Sequence, residues 1–286
     1  MVKEFDSFEG SEYQEIDLEK IEIQLLLQGI YDMYGYDFRE YAYHSIRRRV
    51  IHRMQNENLS SITQLLDKVL HDTATLKRLV ENFSINVTEM FRDPSFFLQF
   101  REKVIPMLRT YPSIRIWHAG CSTGEEVYSM AMLLYEEGLY DKTKIYATDF
   151  NTKVLKKAKR GIFPIENMRK YTNNYILSGG KSAFSDYYTV TDNGVVFKPF
   201  LTEHVIFAQH NLVTDKSFNE FHVILCRNVL IYFNKELQVK VHQLFYDSLG
   251  MFGILGLGSK ETIYNKNYAD VYEPVSVQEK LYRKIK

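Results

Sequence analysis

The chain has 286 residues, of which 45% are hydrophobic, and 36 basic residues balance 36 acidic ones. This composition excludes a disordered chain and predicts one moderate domain with a smaller one beside it. A net charge of zero argues against nucleic acid as the partner, although local basic patches are compatible with it.

The first 85 residues alternate helical periodicity with polar breaks, which predicts a small all-α domain over residues 1–85. Asp17 is expected to cap a first helix, and Ser60 or Ser61 to cap a later one. The apolar residues expected to face the core from the first helix are Ile21, Leu25 and Leu26. Between these two predicted helices, a further helix is expected over Ser45–Gln55, and it carries a run of basic residues. These are Arg47, Arg48, Arg49 and Arg53.

Residues 86–110 are predicted to link this domain to the next one. Within them Arg92 is surrounded in sequence by aromatic residues, so we expect a partly desolvated guanidinium that binds a carboxylate. The aromatic neighbours are Phe91, Phe96 and Phe97. The alternative is a plain helix start, capped by Thr88 or Asp93 ahead of Pro94.

From residue 111 to residue 286 short apolar strands alternate with amphipathic helices, which predicts a Rossmann-like α/β domain with a parallel sheet. The strand candidates are Ile114 to Ala119, Lys144 to Thr148, Val205 to Ala208, Phe221 to Cys226 and Phe252 to Leu257. At about residues 164–202 the rhythm lapses, and an Asn193-Gly194 step lies between two β-rich runs. This signal predicts a hairpin, and with it a small antiparallel β insertion.

The turn after the first strand indicates a ligand. Gly120 and Gly124 let the backbone turn tightly and approach a bound group. Glu125 and Glu126 follow in the first turn of a helix, where they would repel a phosphate and attract a cation. An adenine nucleoside with a positively charged tail fits these requirements, and S-adenosylmethionine is the common ligand of this kind.

Two later strands end in polar residues that suit the same cleft. Asp149 follows the second strand, where an acidic side chain accepts hydrogen bonds from ribose hydroxyls; the alternative is a helix cap formed with Asn151. Arg227 and Tyr232 follow the strand that ends at Cys226, with a purely structural ion pair and a core tyrosine as the alternative.

Together these motifs closely resemble the CheR-type chemotaxis receptor methyltransferases. The matching stretches are Asn86-x-Thr88-x-x-x-Arg92, Ala119-Gly-Cys-Ser-Thr-Gly-Glu-Glu126, Ala147-Thr-Asp149, Asn211-Leu212 and Cys226-Arg-Asn-Val-Leu-Ile-Tyr-Phe233. The resemblance implies an all-α domain ahead of an S-adenosylmethionine-dependent methyltransferase domain. It also implies that glutamate side chains on cytoplasmic receptor helices become methyl esters, with S-adenosylhomocysteine as the product.

The resemblance assigns roles to individual residues. Those expected to bind the cofactor are Asn86, Thr88, Arg92, Gly120, Glu125, Asp149, Asn211, Leu212, Cys226 and Arg227. Those expected to face the reacting groups are Arg92, Arg227 and Tyr232. The arginines at 47, 48, 49 and 53 are either a solvated face or a docking surface for acidic receptor helices, and the β insertion is a candidate site for a receptor C-terminal peptide. Near the C-terminus the family's Gly-His-Ser-Glu is replaced by Gly258-Ser-Lys-Glu261.

Other activities remain as alternatives. A methyltransferase acting on another protein, RNA or a small molecule would keep the cofactor residues, and a non-catalytic module would only sense the cofactor. No metal site is expected, because the two cysteines stand alone and the eight histidines are dispersed. Both cysteines are expected to be reduced thiols, and the acidic, polar first 15 residues and the lack of a long apolar run predict a cytoplasmic protein that is not inserted in a membrane.

Overall fold

The computed structural model describes residues 12–84, 87–263 and 270–286, with side chains from residue 18 onward. The chain divides into two compact units, Met1–Ser84 and Ile85–Lys286. They are called here the helical unit and the sheet unit.

The described part of the helical unit is built from helices alone. They are α1 (Glu12–Tyr34), α2 (Tyr43–Asn56), α3 (Ile62–His71) and α4 (Thr73–Phe83). The cap predicted for α3 is confirmed at Ser61, whose side chain accepts the backbone N–H of Gln64. Asp72 caps α4 in the same way, by accepting the N–H groups of Ala74 and Thr75.

The predicted first helix is present, and Leu26 is buried as predicted, but the expected start and the expected burial of Ile21 and Leu25 were wrong. It begins at Glu12, so Asp17 lies inside the helix rather than at its cap. Ile21 and Leu25 are each 51% exposed. The side chains that are buried together with Leu26 are Ile23, Leu27 and Ile30. Because α1 carries apolar residues on two faces, either face could pack against the core. The structure buries the face whose residues have the spacing i, i+3, i+4, i+7.

The sheet unit is centred on a sheet that contains seven strands in the described residues, in the order β6-β2-β1-β7-β8-β10-β9. These strands are β1 (Ile114–Ala119), β2 (Thr143–Asp149), β6 (Val205–Gln209), β7 (Phe221–Cys226), β8 (Leu249–Leu257), β9 (Tyr272–Ser276) and β10 (Leu281–Lys284). Strands β6, β2, β1, β7 and β8 run parallel to one another, whereas β10 is antiparallel to both β8 and β9. The predicted Rossmann-like class is confirmed.

Helices connect and cover these strands. They are α5 (Pro94–Gln99), α6 (Ile105–Leu108), α7 (Glu125–Glu136), α8 (Thr152–Arg160), α9 (Met168–Leu177) and α10 (Lys235–Ser248). A π-helical turn, Phe100–Val104, joins α5 to α6. No helix among the described residues is both long enough and apolar enough to cross a membrane.

The predicted β insertion is also confirmed. A second, antiparallel sheet has the order β3-β5-β4, with β3 (Ile162–Phe163), β4 (Tyr188–Thr191) and β5 (Gly194–Phe197). The hairpin turns at the predicted Asn-Gly step, and Thr191 pairs with Gly194 across it. Strand β4 is an edge strand of this small sheet.

Candidate functional site

The turn between β1 and α7 is built around two glycines that no other residue replaces without strain. Gly120 and Gly124 have φ of 81° and 95°. A Cβ on Gly120 would lie 2.6 Å from Val229 Cγ2, and one on Gly124 would lie 2.9 Å from the Cβ of Ala158. The turn is therefore packed closely against the segment after β7 and against α8.

Glu125 is a buried carboxylate at the first position of α7. Its side chain accepts a hydrogen bond from the Thr123 hydroxyl at 2.6 Å, and the residue is 6% exposed. Burial raises the pKa of Glu125 above its ordinary value, although the Thr123 hydrogen bond and, to a smaller extent, the charge of Lys157 lower it. Such a carboxylate is stabilised by a cationic group brought in by a ligand.

Asp149 lies at the end of β2 and is 7% exposed. Its carboxylate accepts the backbone N–H of Ser122 at 3.0 Å and that of Asn151 at 2.9 Å, while burial raises its pKa. The cap of α8 is Asn151 itself, whose Oδ1 accepts the N–H of Lys153. Asp149 therefore does not cap α8. The Phe150 N–H also bonds to its carboxylate, and because a carboxylate has about four lone-pair sites, acceptor capacity remains for a ligand hydroxyl.

Glu125 and Asp149 together test whether the site fits S-adenosylmethionine. Within the described ranges neither carboxylate takes part in an ion pair, although both are buried. An ammonium and a pair of ribose hydroxyls are the groups that such carboxylates would bind. The donors and acceptors of the site therefore fit this cofactor.

A network of charged side chains around the buried Arg227 lies beside the turn. Glu126 accepts hydrogen bonds from Arg227 Nη1 at 2.9 Å and pairs with His118 Nδ1 at 2.9 Å. Arg227 Nη2 also donates to Asp93 Oδ2 at 2.8 Å and to the Arg92 carbonyl at 2.9 Å. Burial alone would raise the pKa of Glu126, but the His118 hydrogen bond and the Arg227 charge lower it. The carboxylate is therefore held ionised.

The aromatic surroundings predicted for Arg92 belong to Arg227. The Arg227 guanidinium carbon lies 4.0 Å from the centroid of Phe96 and 5.6 Å from that of Phe97. Arg92 is half-buried, and its Nη1 donates to the Val87 carbonyl at 3.0 Å. Sequence proximity to aromatics was a poor guide here, because helix α5 turns those rings toward β7.

The remaining predicted site residues differ in burial. Cys226 ends β7 and is fully buried, which raises the pKa of its thiol well above the ordinary value. Half-buried residues are Thr88, Asn211, Leu212 and Tyr232. Asn211 Oδ1 accepts the N–H of Val213, so its side chain shapes the loop after β6. Asn86 lies outside the described residues.

One functional candidate was missed by the sequence reasoning. Glu261 is 3% exposed and accepts four backbone N–H groups, from Gly258 and from the three residues that follow Arg227. The signal in the sequence was the Gly-x-x-Glu spacing that survives in Gly258-Ser-Lys-Glu261. The positions that depart from the family pattern, Ser259 and Lys260, are exposed.

The arginines of α2 do not share one exposed face, contrary to the interpretation as a single docking surface. Arg49 is buried. Arg53 is used inside the helical unit, where Nη2 donates to Asn82 Oδ1 at 2.8 Å. Arg47 forms an ion pair with Glu19 at 2.5 Å, and Arg48 is exposed. Consecutive residues of a helix point to different sides, whereas residues four apart share a face. Arg49 and Arg53 therefore lie on the inner side of α2, and of these four arginines Arg47 and Arg48 are the exposed ones.

A denser group of exposed cations lies on α8 in the sheet unit. These side chains are Lys153, Lys156, Lys157, Lys159 and Arg160. The buried residues of the same helix are Val154, Leu155 and Ala158. We call the exposed group the α8 basic face.

The chain matches two family models. The model described as CheR methyltransferase, all-alpha domain, matches residues 21–84, and the model described as CheR methyltransferase, SAM binding domain, matches residues 86–280. A protein named putative methyltransferase Cher3 from Pseudomonas putida is 48% identical over 92% of this chain and 97% of its own length. A chemotaxis protein methyltransferase from Borreliella burgdorferi is 30% identical over 88% of this chain and 92% of its own length.

Proposed function

Because this chain belongs to the CheR methyltransferase family, we propose that it methylates glutamate side chains on the cytoplasmic helices of chemotaxis receptors. The family resemblance read from the motifs is confirmed, and so are methyl transfer as the reaction class and S-adenosylmethionine as the cofactor. The observation that carries the proposal is the pair of buried carboxylates, Glu125 and Asp149, beside the glycine turn of a chain matched by both models.

Glu125 and Asp149 would hold the cofactor. When bound, S-adenosylmethionine supplies an electrophilic methyl group on a positively charged sulfonium. Glu125 would pair with its ammonium, because a buried carboxylate gains most from a cationic partner. Asp149 would accept hydrogen bonds from its ribose hydroxyls, through the lone pairs that the backbone N–H groups leave free.

A carboxylate acceptor suits the titratable groups of this site. A glutamate side chain has an unperturbed pKa of about 4.3, so it is already an anion at neutral pH and needs no general base. Burial raises the pKa of both the Cys121 and the Cys226 thiols, so neither is suited to remove a proton at neutral pH. His118 is 1% exposed and is held by Glu126. The enzyme would then act by aligning the carboxylate oxygen with the methyl group of the cofactor. Such alignment lowers the activation barrier by up to roughly 7–11 kcal/mol in favourable cases.

Arg227 would act on the acceptor through the residues that it holds. Its two terminal nitrogens are already engaged by Glu126 and Asp93, so it is better placed to fix the cleft wall than to grip an incoming carboxylate. Arg92 and Tyr232, which are only half-buried, would face the reacting groups.

Positive charge would guide an acidic partner to the protein. Exposed Arg47 and Arg48 on the helical unit and the α8 basic face on the sheet unit would attract receptor helices that carry glutamates. The same charge would attract RNA, so an RNA competitor belongs in the test.

The β insertion would bind a receptor C-terminal peptide by strand addition. Strand β4 is paired with β5 on one side, and its Val190 side chain is 61% exposed. An edge strand of this kind offers backbone donors and acceptors to an extended peptide.

The test is a transfer assay with labelled S-adenosylmethionine and three acceptors: a receptor cytoplasmic fragment, the fragment with its glutamates changed to alanine, and RNA. Label on the first acceptor alone supports the proposal. Label on RNA, or equal label on the alanine fragment, contradicts it. Glu125→Gln is expected to raise the cofactor KM at least tenfold, whereas Glu166→Gln, a change at an exposed residue, leaves it unchanged.

A further inference from the structure

A buried carboxylate holds the segment that follows β7. The two oxygens of Glu261 accept the backbone N–H groups of Gly258 at 2.6 Å, Asn228 at 3.1 Å, Val229 at 2.8 Å and Leu230 at 2.8 Å. Three of these donors are consecutive. Consecutive N–H groups that converge on one point form an anion-binding nest.

The nest is filled by the chain's own anion. Asn228 adopts a φ of 61°, which turns the three N–H groups toward the same side. Without the carboxylate, several buried donors would lose their partner, and unsatisfied buried donors are costly. The segment would then change conformation or take in another anion.

This segment carries and touches several parts of the proposed reaction site. Arg227 precedes it and holds Glu126 and Asp93, and Tyr232 ends the short 3-10 turn that begins at Leu230. Val229 packs against the Gly120 turn, where a Cβ on the glycine would be 2.6 Å from Val229 Cγ2. The Glu261 carboxylate thus fixes both the segment that follows β7 and the contact of that segment with the Gly120 turn.

The departure from the family pattern leaves this arrangement intact. Gly258 is required at its position, because a Cβ there would lie 2.8 Å from the Asn228 nitrogen and 2.8 Å from Glu261 Oε2. The altered residues between them are exposed. The retained residues are the ones that build the nest contact.

We propose that Glu261 is a positioning residue for methyl transfer, whose carboxylate holds the Arg227–Tyr232 segment in its reactive conformation. The proposal rests on the proposed function above. It assigns to the loop that contains Glu261 a role in aligning the reacting groups.

The test compares Glu261→Gln and Glu261→Ala with Ser259→Ala, a change at an exposed neighbour. In the two Glu261 variants, we expect kcat to fall at least tenfold while the receptor KM stays within threefold and thermal unfolding stays cooperative. Formate should restore at least a third of the lost kcat in Glu261→Ala, because it fits the emptied nest, and should do little in Glu261→Gln. Ser259→Ala should match the unaltered protein.

A kcat within twofold of the unaltered protein in Glu261→Gln would overturn the proposal. So would a loss of kcat in Glu261→Ala that formate leaves unchanged while unfolding stays cooperative. If Glu261→Ala unfolds non-cooperatively, the fold itself is damaged, and Glu261→Asp decides instead: a cooperative unfolding with kcat within twofold of the unaltered protein would overturn the proposal. Hydrogen exchange at the amides of residues 228–230 should accelerate at least tenfold in Glu261→Gln. This measurement needs no acceptor, so it separates failure of this inference from failure of the proposed function.

Discussion

The guanidinium of Arg227 donates to the carboxylate of Glu126 at 2.9 Å, with the arginine side chain only 1% exposed. This contact ties the end of β7 to the first turn of α7, and the additional bond to Asp93 ties both to the start of α5. Three segments that are distant in sequence meet at one buried cation.

Arg227→Ala should destabilise the protein strongly. It leaves Glu126, whose side chain is 17% exposed, without its arginine. Removing one partner of a buried pair typically lowers the free energy of unfolding by about 3–5 kcal/mol, and we expect a loss toward the lower end of that range. Arg115→Ala breaks a more exposed pair with Glu220 at 4.0 Å and should cost at most about 1 kcal/mol. Denaturant unfolding measures both, and equal losses would contradict the structural role given to Arg227.

Gly120→Ala should destabilise more than Gly138→Ala. Both glycines have positive φ, which costs a non-glycine residue about 1–2 kcal/mol, but only Gly120 would place its Cβ against a neighbour; no heavy atom lies within 4 Å of the Cβ position at Gly138. Adding Val229→Ala to Gly120→Ala should recover part of the loss, with a coupling of about 0.5–3 kcal/mol. Strict additivity in a double-mutant cycle would show that the two loops are not in the contact described.

Cofactor affinity should rise with pH through the titration of Glu125 and Asp149. Burial raises the pKa of both, so in the ligand-free protein their contribution to stability is present at low pH and is lost as pH rises through the folded values. A bound ammonium favours the ionised carboxylate and reverses that loss. Calorimetry with S-adenosylhomocysteine should therefore show tighter binding as pH increases from about 4 toward neutrality. Glu125→Gln should flatten the curve, and an unchanged curve would remove Glu125 from the site.

The α8 basic face should speed receptor capture without affecting the cofactor. Lys156→Glu combined with Lys159→Glu should raise the receptor KM at least fivefold at low salt, and the difference from the unaltered protein should shrink at high salt because exposed charges are screened. Lys235→Glu, at an exposed lysine on α10, is the matched control. A receptor KM that is unaffected at every salt concentration would show that this face is only solvated.

Local patterns predicted most of the sheet unit. Strands β1 and β7 have the predicted bounds, because continuous apolar runs bounded by polar breaks have few other solutions in a parallel sheet. Strand β8 begins at Leu249, three residues before the expected start at Phe252. The pairing of β8 with β7 shifts register in this stretch, where Phe252 has a φ of 63°. An apolar pattern does not reveal such a bulge.

Contacts between residues that are far apart in the chain could not be predicted from the sequence. Nothing local indicated that Arg227, rather than Arg92, would lie over the ring of Phe96, or that Glu261 would bind amides about 30 residues earlier in the chain. In α1 the choice between two apolar faces was made by packing, which leaves Ile21 half exposed and buries Ile23. Tertiary contacts decide these features, and a periodicity describes only one element at a time.

The most direct measurement is the chemical identity of the product on a receptor fragment. The protein, labelled S-adenosylmethionine and the fragment are incubated together, and the fragment is then digested, analysed by mass spectrometry and treated with mild base. A glutamate γ-methyl ester is expected, located on a glutamate of the fragment and releasing its label as methanol in base. Label that survives base, or that lies on lysine, arginine or RNA, would contradict the account.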